Sequence, residues 1–283
     1  MATFYNQAIL SYNGNTTTSN ITTGEILEVL SASKTAVVDE YSSGDAVTYV
    51  VSIINSGASA FSGLTLTDNL GEYTSGALTL VPLTYTEGSL QYYENGVLRP
   101  APTVTAENPL TITGISVPAR GNATIIYEAR TNGFAPIGVG GSITNTAVIS
   151  GTNVSPVTVE ETIGASEEAR LTISKSLSPA TVTENGVITY TFIIQNSGNT
   201  AAVATDNVTV TDTFNPILGG ITVAFNGETW AETTNYTYNE TTGVFATVPG
   251  QITVPAATYT QEPTSGAVIV NPGVSVLTVT GTV

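Results

Sequence analysis

Two lysines, two aspartates and two asparagines are the side chains whose types and spacing could do chemistry here. Lys34 and Lys175 are the only lysines, and they sit 141 positions apart in matching segments, LSASKTA and LTISKSL. Side chains alternate along a strand. Leu30, Ala32, Lys34 and Ala36 therefore share one face, and Leu171, Ile173, Lys175 and Leu177 share another. By the same rule Asp68 falls with Leu64 and Leu66, and Asp212 with Val208 and Val210. Asn145 falls with Ile143, Ala147 and Ile149, and Asn6 with Phe4, Ala8 and Leu10. All six polar groups project toward an apolar side. An unpaired buried ammonium is costly, so each lysine must be paired or neutral. A Lys–Asp ion pair with asparagine as a hydrogen-bond partner satisfies that demand. Other readings are that each lysine snorkels to the rim and that the asparagines shape turns or bulges.

The elements that must carry these residues are strands. Val, Ile, Thr and Tyr recur between Gly, Asn and Pro turns, which predicts an all-β chain. There is no histidine and no cysteine among the 283 residues. That excludes a Ser-His-Asp triad, a thiol nucleophile, disulfides and ordinary zinc or copper sites. The formal net charge is −16 with six basic residues, which argues against nucleic acid and anionic membranes as partners. No D-x-D-x-D-G spacing suggests calcium, so no metal and no cofactor is expected. No apolar run is long enough for a transmembrane helix, so membrane insertion is not expected. Met1 opens no signal-peptide pattern; the expectation is either a removed leader or assembly inside a cell. Sequons at Asn20, Asn122 and Asn207 are what chance gives in a chain so rich in Asn and Thr.

The sequence repeats itself. LSASKTAVVDEYSSGDAVTYVVSIINSG from Leu30 matches LTISKSLSPATVTENGVITYTFIIQNSG from Leu171, pairing Tyr49 with Tyr190 and Asn55 with Asn196. SGLTLTDNL and DNVTVTDTF then place Asp68 opposite Asp212. The first copy continues with SITNTAVISGTNVSPVTVEETI; the second has no such continuation, but TFYNQAILSYNG near the N-terminus matches it, with Asn6 on Asn145 and Ala8 on Ala147. The repeat is thus permuted. Residues 1–27 are expected to form a donor-strand segment, 28–166 a complete β-sandwich, and 167–283 a second sandwich lacking its closing strand. A sandwich open at one edge is a liability, and strand addition cures it. The donor strand would carry Phe4, Asn6, Ala8, Leu10 and Tyr12. The few residues between Glu25 and the Lys34 strand reach roughly 20 Å, so the N-terminus should stay near the first sandwich. Donation to another copy is heterologous and does not close, so it yields a filament.

The pattern K…GDAVTYVVSIINSG…LTLTDNL, with its copy K…NGVITYTFIIQNSG…VTVTDTF, resembles the conserved-repeat domain of bacterial and archaeal surface proteins. That resemblance covers nearly the whole chain as two copies. It implies tandem immunoglobulin-like sandwiches with a structural or adhesive role at the cell exterior, and no enzyme activity. The permutation resembles that of self-complementing fibre subunits, and the lack of a leader resembles spore appendage subunits. The Lys, Asp and Asn constellation resembles the intramolecular isopeptide bonds of Gram-positive pilin and adhesin domains. There a desolvated, neutral lysine amine attacks an asparagine carboxamide, a protonated carboxyl polarises the carbonyl, and ammonia leaves. Burial tunes the pKa values and proximity holds the pair. The resemblance assigns Lys34 to Asn145 with Asp68, on an early and a late strand of the sandwich that the sequence allows to be neighbours. It assigns Lys175 to Asn6 with Asp212, where Asn6 would come from a neighbouring subunit.

The function expected is therefore a self-assembling structural subunit of an extracellular, cell- or spore-surface filament. Its partner is itself, head to tail, with an anchor or tip protein unidentified. The alternative is a monomeric adhesin or carbohydrate-binding stalk, with Tyr92, Tyr93 and Trp230 as contacts. Aromatic stripes usually reflect hairpin packing. Glycosidase chemistry needs two placed carboxylates, and no convincing pair stands out. At most the chain would catalyse its own crosslinks.

Overall fold

A computed structural model describes residues 2–26, 28–152 and 154–283. Met1 and Leu27, the ends of the expected donor segment, lie outside the described residues. The chain divides into two compact units, one comprising Met1–Asn132 and Ile143–Ile163, the other Gly133–Ser142 and Gly164–Val283. Its secondary structure is β-strand apart from one short 3-10 turn, Ala204–Asp206.

The chain opens with a two-stranded hairpin, interrupted halfway. β1 (Ala2–Asn6) pairs with β4 (Thr22–Ile26), and β2 (Ile9–Tyr12) with β3 (Asn15–Thr18). Asn13 and Gly14, with φ of 44° and 77°, make the two-residue turn. Two successive positive φ values are what a type I′ hairpin demands, and Asn-Gly supplies them cheaply.

The first unit continues with β5 (Leu30–Ala36), β6 (Glu40–Tyr41), β7 (Ala46–Asn55), β8 (Phe61–Asp68), β9 (Tyr73–Ser75), β10 (Leu78–Leu80), β11 (Leu83–Tyr85), β12 (Gln91–Glu94), β13 (Val97–Arg99), β14 (Thr103–Glu107), β15 (Leu110–Val117), β16 (Gly121–Thr131), β17 (Ser142–Gly151) and β18 (Val154–Ala165). One sheet runs β13-β12-β16-β7-β5, with β11 also on β16. The other runs β14-β15-β8-β17-β18-β6. β7 and β16 alternate buried and half-exposed residues along their length. Inward Val47, Tyr49, Val51 and Ile53 of β7, Ile125 and Tyr127 of β16, and Leu64, Leu66, Ile112 and Ile149 of the other sheet are all buried. Period-2 burial of this kind is what a sandwich requires.

The second unit holds β19 (Leu171–Ser178), β20 (Val187–Asn196), β21 (Thr211–Thr213), β22 (Gly219–Phe225), β23 (Glu228–Trp230), β24 (Tyr236–Asn239), β25 (Val244–Thr247), β26 (Thr258–Gln261), β27 (Val268–Asn271) and β28 (Gly273–Thr282). Its first sheet, β23-β22-β28-β20-β19, repeats the order β13-β12-β16-β7-β5 of unit one, without a counterpart of β11. Its second sheet stops at β24-β25-β21. Where unit one has three further strands beyond β8, the other edge of β21 pairs with nothing among the described residues. The expected pair of sandwiches is present, and the second is open.

Candidate functional site

In unit one β8 ends at Asp68, whose Oδ1 accepts the Leu70 amide at 2.9 Å. That Asx turn lets Leu70 take its φ of 53° and fixes the carboxylate, pointing inward. Lys34 donates from Nζ to Asp68 Oδ2 at 2.6 Å, and both side chains have 0% exposure. The lysine reaches there from β5 in the opposite sheet. β5 and β17, which the sequence allowed to be neighbours, lie in different sheets: β17 pairs with β8, setting Ala147 opposite Asp68. Sheet membership, which alternation does not encode, accounts for the difference.

Asn145 is fully buried on β17. Its Nδ2 donates to the Tyr127 hydroxyl at 3.4 Å, and that hydroxyl donates to Asp68 Oδ2 at 2.5 Å. The Lys34, Asp68 and Asn145 of the expected triad thus belong to one buried cluster, bridged by Tyr127. Tyr127 stacks on Tyr49 at 5.6 Å between ring centroids, and Lys34 Nζ lies 4.8 Å from the centre of the Tyr49 ring. The Asn145 Oδ1 and Tyr49 hydroxyl oxygens are buried without hydrogen-bond partners. An orphaned buried carbonyl is costly.

Burial pushes the Lys34 ammonium below its usual value, against the opposing pull of Asp68. Burial likewise drives the Tyr127 phenol well above its usual value, with Asp68 adding to the effect.

Tyr127 was not singled out in sequence. Its signal was an inward tyrosine among Ala123, Ile125 and Ala129 on β16, but the equivalent place in unit two is Val279, opposite Tyr190 as Tyr127 is opposite Tyr49. Without a second copy the repeat did not mark it.

Unit two carries the same lysine and aspartate in a different state. Lys175 donates to Asp212, yet its side chain is 39% exposed and that of Asp212 19%. The Tyr190 and Phe214 rings lie 4.4 and 5.3 Å from Nζ. Leu171, Ile173 and Leu177 on the same face are exposed. The uncovered sheet edge is the cause: β17 and β18 shield this region in unit one, and no strand does so here. Asn6 is not part of this cluster. It sits on β1 opposite Thr22, exposed, and the Thr22 hydroxyl donates to its backbone carbonyl at 3.2 Å. Phe4, Ala8, Leu10 and Tyr12 are likewise exposed.

The aromatic contacts proposed for an adhesin serve packing. Tyr92 is buried, with its hydroxyl on Glu94 at 2.9 Å and on the Ser116 carbonyl. Tyr93 donates to Gln91 at 2.9 Å, and Trp230 packs on Phe225 at 4.9 Å. Among the described residues no helix is long and apolar enough to cross a membrane.

No protein-family model matches the chain, and no curated protein matches it. Solved structures similar to it include pilus subunits. The pilus backbone RrgB of Streptococcus pneumoniae is 12% identical, over 86% of this chain and 55% of that one, with a TM-score of 0.34. The major pilin subunit BcpA of Bacillus cereus is 13% identical, over 95% and 73%, with a TM-score of 0.33. The collagen-binding domain of the Erysipelothrix rhusiopathiae surface protein RspB is 13% identical, over 57% and 59%, with a TM-score of 0.29. The chain thus spans about half the length of the pneumococcal subunit.

Proposed function

We propose that the protein is the structural subunit of an extracellular filament, of the cell or spore surface, that grows when the N-terminal strand of one copy fills the open sandwich of the next. One observation carries this reading. The second sheet of unit two stops at β21, while residues 4–10 repeat the inward residues of β17, the strand that lies beside β8 in unit one. Phe4, Asn6, Ala8 and Leu10 stand where Ile143, Asn145, Ala147 and Ile149 stand, and those four are buried. Docking satisfies an exposed edge and covers an exposed apolar face on both partners.

We propose a Lys–Asn crosslink at the same cluster. In unit one, neutral Lys34 would attack Asn145 Cγ. The new C–N bond replaces the bond to Nδ2, which leaves as ammonia with a proton from the amine. Asp68, holding the other lysine proton, would polarise the carbonyl. In unit two the reaction needs Asn6 of the docked strand, and docking would supply the burial that Lys175 lacks.

Negative-stain microscopy of the full chain beside a variant lacking residues 2–24 tests the assembly. Filaments from the first and particles from the second are expected; filaments from both would overturn it. Boiled filaments should run as a ladder, and Asn6→Ala should collapse that ladder to monomer without abolishing filaments. A single mass loss of ammonia in Asn6→Ala reports the Lys34–Asn145 bond separately.

A further inference from the structure

We infer that the segment donated is the whole hairpin rather than one strand, and that its second strand enters the acceptor's core at Gly24. This rests on the donor reading above and specifies its partner surface.

The hairpin reproduces β17–β18 with one constant displacement of 139 positions on both strands. Tyr5 lies opposite Thr23; the corresponding Thr144 and Thr162 share a hydrogen bond of 2.8 Å between their hydroxyls. Phe4 lies opposite Gly24; the corresponding Ile143 and Ile163 are 1% and 0% exposed in the core of unit one. The two pairs fill their places differently, and the Phe–Gly pair is the smaller. The Phe4 ring covers Gly24 so closely that a Cβ added there would come within 2.4 Å of it. One large ring over a glycine replaces two isoleucines side by side. A glycine inside a strand weakens it unless something must approach closely, and here the ring does.

The acceptor has a place for the second strand. In unit one β18 also pairs with β6, and Tyr41 of β6 is 1% exposed. The repeat puts Thr181 and Val182 at that place, where no strand forms and Val182 is 36% exposed. A docked hairpin would give them a partner, extending the three-stranded sheet to six strands. β17 on β8 also sets the register: Val148 opposite Thr67 becomes Ile9 opposite Thr211, an outward pair.

The test uses full-length chains and two sets of variants. Gly24→Ile should displace Phe4, and Phe4→Ile should leave a void. Each should raise the critical concentration for assembly roughly tenfold or more. Phe4→Ile with Gly24→Ile rebuilds the isoleucine pair and should restore assembly. If Gly24→Ile alone assembles like the parent, the second strand stays outside the core and the hairpin inference fails, while single-strand donation stands. The chain has no cysteine, so Ile9→Cys with Thr211→Cys reports the register. Oxidised filaments should lose their monomer band to a disulfide ladder. A ladder only with Thr213→Cys instead means a slipped register and overturns the placement. A disulfide within single chains overturns donation between copies itself.

Discussion

Lys34 is buried, charged by default and next to a carboxylate, and that combination has a pH signature. Its folded-state pKa is lowered by burial, so the unfolded chain holds the extra proton from that lowered value up to about 10.4. Over that window stability should rise with pH. Above about 10 the slope should reverse, because Tyr41, Tyr49 and Tyr127 are all raised by burial and the unfolded chain loses its phenolic protons first. Thermal melts of Asn145→Ala, which cannot crosslink unit one, should show the rise and the fall. Adding Lys34→Met should remove the rise and leave the fall. Aspartate substitutions should separate the two units. Asp68→Ala strands a fully buried ammonium and should cost about 3–5 kcal/mol, together with the ammonia loss. Asp212→Ala touches a pair that is 39% and 19% exposed and should cost the unassembled protein about 1 kcal/mol or less. Urea unfolding of both variants checks the contrast. Alternation alone made the lysine, aspartate and asparagine legible as inward groups. It did not reveal Tyr127, whose role depends on which strand faces which.

Two asparagines show how the repeat builds its strand ends. Asn55 closes β7: it donates to the Ser59 and Pro118 carbonyls at 2.8 and 3.0 Å and accepts the Gly57 amide at 2.9 Å. Asn196 closes β20 likewise, donating to Thr200 and Pro255 at 2.7 and 3.0 Å and accepting the Gly198 amide at 2.9 Å. Both are buried. Alanine at either place strands four backbone groups, the fourth being the Val117 carbonyl at Asn55 and the Arg170 amide at Asn196, and a loss of about 2–4 kcal/mol should follow in the unit that carries it. A calorimetric scan of each variant should show one unit melting early and the other unchanged. The N-terminal element was only half legible. ATFYNQAILSYNG read as a strand with an unknown partner, and the Asn-Gly at its end is the strongest short signal for a hairpin. The matching strand after it, NTTTSNITTGEI, is polar and carries Gly24, so period and propensity gave it little weight. SNITTGE roughly matches SPVTVEE in the sequence, but its register opposite Phe4 shows only in the structure.

At the scale of the molecule, the proposed donation joins the unpaired edge of β21 in one copy to the N-terminal hairpin of another. Unit one already contains β17 and β18, so it has no place for a second hairpin. Such a contact is heterologous, and assembly by it is linear, polar and unbranched. Net charge adds a restraint, since copies carrying −16 repel, but within residues 2–26 the only charged side chain is Glu25. The polarity gives a mixing experiment. Leu10→Asp places a charge where Ile149 is buried in unit one, so that chain should accept a hairpin but not donate one. Ile173→Asp puts a charge on the exposed apolar face of β19, so that chain should donate but not accept. Each should remain a monomer alone. Mixed in equal amounts they should form dimers and nothing longer, because the Leu10→Asp chain has its only edge filled and the Ile173→Asp chain keeps an edge that no hairpin enters. Light scattering during size-exclusion chromatography reads this directly. Added at a few per cent to parent protein, either variant should shorten filaments by capping opposite ends. Long filaments from the mixture would mean that copies meet through some other surface.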